Sequence, residues 1–306
     1  MASDAILRSY GDVSAREDVV MNSIEILTAK ETQLYNKLGK TSAINTIHSY
    51  LVDTLRTAQS QAVEEAADYT SLANNTPSRL TNIVEVVAVP FKVSRTQQDI
   101  QHYQGSNELS RQTEKALMDW ANAAEFDLVR STLTSGASGT APKMSGVIQG
   151  ISKSTTYTSH TSGTAWNSSI LDGLVQNSWD NSKGDLATDI YMGSILRKNT
   201  DYFTQKTNVV VNAAVPDIIK TVSTYTTAFT TLSVHTHRFV QQSGDATGRV
   251  LALNTEKLKV AVLRAPYIDS TLGRSGDYDA RAIVGKFTLE VRNQDVNFYA
   301  DGFLKA

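Results

Sequence analysis

The amino-acid sequence predicts an α+β protein built around one long helix. Its 306 residues are 41% hydrophobic and 20% charged, which is enough apolar material to bury a sizeable core and to support two or three subdomains. The most extended amphipathic pattern in the chain has a helical period, whereas several runs rich in β-branched residues alternate as strands do. Helices and strands are therefore both expected.

The N-terminal region predicts two short helices. Residues 14–17 have the spacing of a capping box and precede an apolar stripe; residues 28–31 repeat the box before a second stripe. Gly39 is expected to terminate the second helix. Because isolated helices of this length are marginal in water, both are expected to dock on another surface, such as a neighbouring subunit.

Two strand-like runs follow, at residues 44–56 and 80–94. The polar stretch between them, residues 57–79, is too long for a tight hairpin. A connection of this length is uncommon in a compact domain and usually projects or serves a function. We therefore expect a strand pair with a long, exposed connection.

The clearest helix in the chain is predicted from Asn107 to Leu133. Apolar residues recur along it at three- and four-residue steps, from Leu109 through Trp120. Ser106 or Asn107 suits its N-cap, and a helix of this length spans about 40 Å. Trp120 is interpreted as a core or interface residue.

The region after this helix changes character. Ser and Thr make up 18 of the 39 residues from 131 to 169, so exposed loops or short strands are expected there. Helices are predicted at 169–182 and 194–203, and strand-like runs lie at 189–192, 209–241, 249–253, 259–264 and 283–292. In the last run, apolar and polar residues alternate, which predicts one buried and one solvent-exposed face.

Composition excludes several classes of function. The 29 Lys and Arg residues nearly balance the 31 Asp and Glu residues, and this formal charge of −2 argues against avid, salt-driven binding of nucleic acid. The absence of cysteine excludes disulfides, thiolate metal sites and a thiol nucleophile. The first residues do not have the pattern of a secretory signal, and no run approaches the roughly 20 apolar residues of a membrane span.

No nucleotide-binding or hydrolase motif is complete. Gly39-Lys40-Thr41 resembles the end of a phosphate-binding loop, but Leu34 occupies the position of the required earlier glycine. No two glycines have the G-x-G spacing of a dinucleotide site. The glycines of residues 136–139 and 273–276 fall one residue short of a G-x-S-x-G elbow, so both segments are interpreted as turns.

The candidate metal ligands and acids are equally weak. His235 and His237 would point to the same side of a strand, but no third ligand can be named, so ordinary strand surface is the favoured interpretation. Glu64-Glu65 and the pair Asp277 and Asp279 are interpreted as solvated loop charges. We therefore predict no catalytic, cofactor-binding or metal-binding residue, and no cofactor.

The order of these segments resembles that of a known family. The arm sequences Arg16-Glu17-Asp18 and 28–32 precede the long-looped strand pair, and Val93-Ser94-Arg95-Thr96-Gln97-Gln98 leads into the long helix. The C-terminal part of the resemblance comprises residues 258–266, followed by 276–277 and 287–293. Together these stretches resemble the major capsid proteins of tailed bacteriophages, which have the Hong Kong 97-type fold.

The resemblance implies a domain map. It divides the chain into an N-terminal arm (1–43), an extended E-loop strand pair (44–94), a P domain (95–167) with the spine helix at 107–133, an A domain (168–252) and C-terminal strands that return to the P domain (253–306).

The resemblance also implies a function. The chain would be a non-enzymatic major capsid protein that self-assembles into hexamers and pentamers of an icosahedral head around double-stranded DNA. Its partners would be other copies of itself, scaffolding, cement and portal proteins, and packaged DNA in weak non-specific contact, with no membrane. It would occupy the virion, and the host cytoplasm during assembly. The alternatives are an encapsulin-like cellular compartment, a β-rich fibre or adhesin subunit, and a hydrolase of undetected type.

One feature of the family is missing from the sequence. Some shells of this fold are joined covalently through an E-loop lysine, but no lysine lies between Thr41 and Phe91. Noncovalent locking is therefore expected, by the arm, by Glu64 and Glu65 meeting basic side chains, or by a cement protein. Since the chain begins close to the arm, a separate scaffolding protein is also expected. A subunit with an extended arm and loop should expose more than the about 12,600 Å² of a compact protein of this mass.

Overall fold

The computed structural model describes residues 32–56, 58–68, 75–100, 107–152, 157–182, 184–205, 223–242, 244–272 and 276–304. The helices in these ranges are α1 (Gln33–Lys37), α2 (Arg95–Asp99), α3 (Glu108–Arg130), α4 (Val147–Ile151), α5 (Ser168–Ser182) and α6 (Ser194–Gln205). The strands are β1 (Gly39–Ser42), β2 (Ile47–Val52), β3 (Ser78–Ile83), β4 (Glu85–Ser94), β5 (Tyr157–Thr164), β6 (Asp189–Met192), β7 (Thr224–Thr226), β8 (Thr231–Thr236), β9 (Gly248–Leu253), β10 (Leu258–Asp269), β11 (Tyr278–Val291) and β12 (Phe298–Phe303). The predicted α+β class is confirmed.

A four-stranded sheet and α3 form one half of the core. The strand order is β1-β10-β11-β4, with β1 parallel to β10 and the other pairs antiparallel. Trp120 of α3 is central to the packing: its indole N–H donates to Val87 O of β4 at 3.0 Å, and its ring packs edge-on against Phe287 of β11. The interpretation of Trp120 as a core residue is confirmed.

The long helix is α3, as predicted, although it ends earlier than expected. The Asn107 side chain accepts from Leu109 N at 2.9 Å, which confirms the N-cap. The helix ends at Arg130 because Ser131 adopts an extended conformation and its carbonyl accepts from Gly146 N. Its 23 residues span about 35 Å.

A six-stranded sheet forms the other half, in the order β5-β12-β9-β6-β8-β7. Successive residues of a strand point to opposite faces, and both faces are buried here. Tyr191 and Leu251 face the core shared with α3, whereas Ile190 and Val250 face the core that includes apolar residues of α5 and α6. The helices predicted at 169–182 and 194–203 and the strands predicted at 189–192 and 249–253 are present. Of the strand-like run predicted at 209–241, residues 209–222 lie outside the described residues, and the remainder forms β7 and β8. β12, which lies between β9 and β5 in the sheet, was not predicted.

The run at 80–94, predicted as one strand, is divided into two. β3 pairs with β2 in a two-stranded ribbon, whereas β4 joins the four-stranded sheet. The break falls at Val84, whose side chain is buried against Ala43 and Ala261 and whose N–H donates to Thr46 O at 2.8 Å. This tertiary contact redirects the chain from the ribbon into the sheet.

The prediction of one solvent-exposed face along β11 is wrong at the C-terminal end of the strand. Thr288 and Glu290 are buried, because the base of the ribbon covers this end of the sheet. Toward the other end, Lys286 on the same face is partly exposed, as predicted.

The N-terminal region is described only from residue 32. The helix predicted at 14–27 lies outside the described residues, and α1 occupies the end of the one predicted at 28–38. Gly39 does not terminate that helix in the expected way. The extended backbone of Leu38 ends α1, and Gly39 begins β1, opposite Lys259 of β10.

The whole chain exposes 19,521 Å². A compact protein of this mass exposes about 12,600 Å². The expected excess of surface is confirmed.

We expect Gly285→Ala to destabilise the fold. A Cβ at Gly285 of β11 would lie 2.4 Å from Trp120 Cζ2, so the ring or the strand must shift, which costs about 1–3 kcal/mol in a packed core. Gly173→Ala is the matched control, because a Cβ there meets nothing within 4 Å and alanine favours the helix α5. Thermal unfolding should show a loss of stability in the first variant alone; equal stability of Gly285→Ala and the parent chain would contradict this packing.

Candidate functional site

Large apolar side chains are exposed along residues 44–83, which we call the extended loop. It comprises β2, β3 and the connection between them. Five of its large apolar side chains are 57–93% exposed: Ile44, Ile47, Leu51, Leu55 and Val63. Every described residue from Asp53 to Asp68 is exposed, and none belongs to a helix or strand, as expected for the long connection. Five exposed apolar side chains within one segment make it the candidate interaction surface of the described residues.

The base of the extended loop is held to β11 by polar contacts. His48 Nε2 lies 2.6 Å from Glu290 Oε1, and Arg292 Nε donates to the other oxygen of Glu290 at 3.0 Å. The hydroxyl of Tyr50 accepts from Val291 N at 3.0 Å and donates to Val291 O at 3.2 Å. These contacts fix β2 across the end of β11.

Asn82 of β3 completes this anchor. Its Nδ2 donates to Leu289 O at 2.8 Å and to Ser145 O at 3.1 Å, and its Oδ1 accepts from Ser145 N at 2.8 Å. Asn82 is buried, so losing these partners would leave unsatisfied polar groups. No sequence motif identifies these anchor residues; the available signal was a histidine and an asparagine inside strand-like runs.

A second buried carboxylate joins α1 to the core. Glu125 of α3 accepts from Leu34 N at 2.7 Å and from Tyr35 N at 2.8 Å, which satisfies two free N–H groups at the start of α1. His237 Nε2 lies 2.8 Å from Glu125 Oε1, and both side chains are fully buried. Glu125 therefore connects α1, the long helix α3 and the residue that follows β8.

The two histidines of the suspected pair have different partners. His235 of β8 lies 3.1 Å from Asp189 Oδ1, which also accepts from Lys37 Nζ at 2.5 Å. His237 bonds to Glu125 instead. The interpretation of both as ordinary strand surface is wrong for His237, because it follows the last residue of β8 and is buried against α3.

The remaining candidates from the sequence have ordinary surroundings. Glu64 and Glu65 are exposed in the connection, as expected. Asp277 is exposed, but Asp279 belongs to β11, and each lies 3.9 Å from Arg95 Nε. Residues 136–139 form the predicted turn, whereas 273–275 lie outside the described residues.

The described residues contain neither a cluster of metal ligands nor a membrane-spanning helix. Within the described ranges, no three His, Asp or Glu side chains are placed to share a metal ion. None of the helices in those ranges is both long enough and apolar enough to cross a membrane.

Two carboxyl groups lie near the C-terminal end of α3. Glu85 Oε2 accepts from Ser131 Oγ and from Met144 N, each at 3.1 Å. Burial, and after it the negative charge of Glu85, raises the pKa of Asp127 from 3.8 to about 7, against the opposing effect of Lys143. Burial also raises the pKa of Glu85.

Comparison with known proteins gives a family match over nearly the whole chain. A family model described as SU10 major capsid protein matches residues 9–301. No curated protein sequence matches the chain.

Solved structures resemble the chain over its full length. A chain from Mycobacterium phage Adephagia has a TM-score of 0.65 at 12% identity, with 99% of each chain covered. The capsid of a native GTA particle, computed with C5 symmetry, also has a TM-score of 0.65 at 12% identity, with 99% of this chain and 100% of that chain covered. The holo-SrpI encapsulin complex of Synechococcus elongatus PCC 7942 has a TM-score of 0.61 at 13% identity, with 97% of this chain and 96% of that chain covered. At these identities the likeness shows the fold alone, which is of the Hong Kong 97 type.

Asp127→Asn should flatten the dependence of stability on pH. In the folded protein Asp127 keeps its proton up to about pH 7, whereas in the unfolded chain it ionises near pH 3.8. The folded state therefore holds more protons between these values, so the free energy of unfolding falls as pH rises through this window.

The substitution removes this effect, so Asp127→Asn should be more stable than the parent chain at pH 8 and similar to it at pH 4. Urea unfolding across this range measures the difference. Asp119→Asn, at an exposed position of the same helix, is the control. A pH profile of Asp127→Asn that is superimposable on that of the parent chain would show that Asp127 is not protonated at neutral pH.

Proposed function

The chain belongs to the SU10 major capsid protein family, and on that premise we propose how its copies build a shell. A major capsid protein is a structural component of the bacteriophage particle and acts as an assembly of many copies. We propose that this chain forms hexamers and pentamers that close into an icosahedral head around double-stranded DNA.

The exposed apolar side chains of the extended loop support this proposal most directly. A two-stranded ribbon is marginally stable in water, and the polar anchor holds only its base. Covering its apolar side chains with another copy would contribute about 25 cal/mol for each Å² removed from water. Many modest contacts of this kind add up when symmetry closes the assembly.

We propose that the domain map implied by the sequence applies to this shell. The extended loop would reach from the P domain, whose core is α3 with the four-stranded sheet, and the A domain would be centred on α5, α6 and the strands β6 to β9. The six-stranded sheet also includes β5 and β12, which the map assigns to P-domain segments. The six-stranded sheet therefore combines strands from segments that the map assigns to different domains.

Further partners are proposed from the family role. They are scaffolding, cement and portal proteins, with assembly in the host cytoplasm. The formal charge of −2 favours weak, non-specific contact with packaged DNA.

An encapsulin-like compartment is the second candidate function, because one solved encapsulin has the same fold. The contents of purified particles separate the two. Double-stranded DNA protected from nuclease supports the viral head, whereas a protein cargo without DNA supports a compartment.

Replacing Leu51 and Leu55 together by Ser should prevent assembly without unfolding the subunit. Both side chains are largely exposed in the isolated chain, so the monomer loses little, whereas the assembled contact loses its apolar area. Negative-stain microscopy should show uniform polyhedral particles for the parent chain and none for the double variant. Leu304→Ser, which removes an exposed leucine outside the loop, is the control. Normal particles from the double variant would contradict the role of the loop.

Particles should separate into single chains in denaturing electrophoresis. The extended loop contains no lysine from which a covalent link could form. A single band at 33.4 kDa is expected from mature particles. Ladders of linked subunits would refute noncovalent locking.

A further inference from the structure

The carboxyl groups of Glu85 and Asp127, which we call the carboxyl pair, lie where the long helix meets the start of β4. Asp127 is in the last turn of α3, and Glu85 is the first residue of β4. Glu85 is buried and Asp127 is partly buried. No N–H or hydroxyl group of the described residues donates a hydrogen bond to the Asp127 carboxyl group. A negative charge on Asp127 is therefore poorly compensated.

Residues 131–146, which we call the return segment, connect the carboxyl pair to the extended loop. Met144 N donates to Glu85 Oε2 at 3.1 Å. The next residue, Ser145, exchanges two hydrogen bonds with the Asn82 side chain of β3, at 2.8 and 3.1 Å. Two consecutive residues of the return segment thus bind the carboxyl pair and the anchor of the loop.

Both ends of the return segment are packed closely against α3. Ser131, where the segment begins, donates through its Oγ to Glu85 Oε2, and its carbonyl accepts from Gly146 N at 2.8 Å. Gly146, where the segment ends, lies so near the helix that a Cβ there would be 2.9 Å from Asp127 O. A displacement at the carboxyl pair is therefore transmitted to the return segment, as in other close-packed regions.

The charge of the carboxyl pair changes near neutral pH. Burial, and after it the charge of Glu85, raises the pKa of Asp127 to about 7, against the opposing effect of Lys143 in the return segment. Below this pH the site therefore holds one negative charge at most, and above it the site holds two.

Other charged groups near this end of α3 are engaged elsewhere. Arg130 is paired with Asp245 at 2.7 Å, and Glu125 accepts from the first N–H groups of α1. Glu290 of β11 lies on the face of the sheet turned away from α3. α4, which also packs on α3, has no ionisable side chain. The carboxyl pair and Lys143 are therefore the charges that govern this titration.

Ionisation of Asp127 places a second negative charge beside that of Glu85. Like charges repel strongly where burial limits screening by water. β4 is fixed by pairing with β11 along its whole length, and α3 by its helical hydrogen bonds, whereas the return segment has only two isolated bridges. The Glu85 side chain can turn away from Asp127 only by releasing Ser131 Oγ and Met144 N, which frees the return segment.

We propose that the carboxyl pair is a proton-controlled hinge for the base of the extended loop. With Asp127 protonated, the return segment stays bound to Glu85 and holds Asn82 in place. With Asp127 ionised, Met144 and Ser145 leave their acceptors more often, and the base of the loop loosens. The consequence for assembly rests on the proposed shell function, whereas the hinge is a property of the single subunit.

Amide hydrogen exchange in unassembled, full-length subunits tests the hinge. Met144 N and Ser145 N donate to Glu85 and Asn82, so the protection of these two amides reports both contacts. After correction for the intrinsic pH dependence of exchange, their protection should fall at least about tenfold between pH 5 and pH 8, because each unit of pKa difference between the closed and open states is a factor of ten.

Three variants assign this fall to the carboxyl pair. In Asp127→Asn the protection should change less than about twofold over the same range, because no proton is lost. Glu85→Gln keeps an acceptor for Met144 N but removes the repelling charge, so a smaller fall is expected, at lower pH. Asp119→Asn, at an exposed position of the same helix, should behave as the parent chain. A fall as large as that of the parent chain in either Asp127→Asn or Glu85→Gln would overturn the inference.

Amides of β9, which pairs with β6 and β12, separate local opening from global unfolding. At pH 8 the amides of Met144 and Ser145 should be at least about tenfold less protected than these core amides, because the hinge opens without the rest of the fold. Equal protection at every pH would show that the return segment opens only with the whole protein, and would contradict the hinge. None of these measurements requires particles, so a failure of the proposed shell function is detected separately, by microscopy.

Discussion

A two-stranded ribbon has no second layer against which to bury its apolar side chains, and this constraint shapes the whole molecule. In a sheet of more strands, Ile47 and Leu51 would face a core, but in the extended loop they face solvent. The chain retains them together with Leu55 and Val63 in a segment that projects from an otherwise well-packed core. Burial of such a segment by another copy would stabilise it, in agreement with the proposed assembly.

Polar contacts attach both the extended loop and α1 to the rest of the core. Glu290 is held by His48 and Arg292 at the base of the loop, and Glu125 holds the start of α1 through two N–H groups and His237. Removing one partner of a buried charge is costly, so these contacts specify position strongly even where they add little net stability.

Local sequence patterns correctly predicted the elements whose structure depends on local periodicity. The helices α3, α5 and α6 follow from their apolar stripes, and the order of segments indicated the family. The failures all involve distant contacts. Val84 divides the predicted strand because it packs on Ala43 and Ala261. Glu290 is buried beneath the base of the extended loop, and its partner His48 is more than two hundred residues away in the sequence. β12 contains Asp301 and Gly302, and both residue types are uncommon in strands; Gly302 also has a φ of +91°. Only the pairing of β12 with β9 and β5 identifies it as a strand.

Copies of the chain should cover one another's extended loops in the completed particle. Hydroxyl-radical footprinting of Leu51 and Leu55, in subunits before assembly and in completed particles, measures this most directly. We predict that both side chains are oxidised readily in free subunits and become protected in particles, whereas exposed Leu304 changes much less. Equal oxidation of Leu51 and Leu55 in the two states would contradict the account.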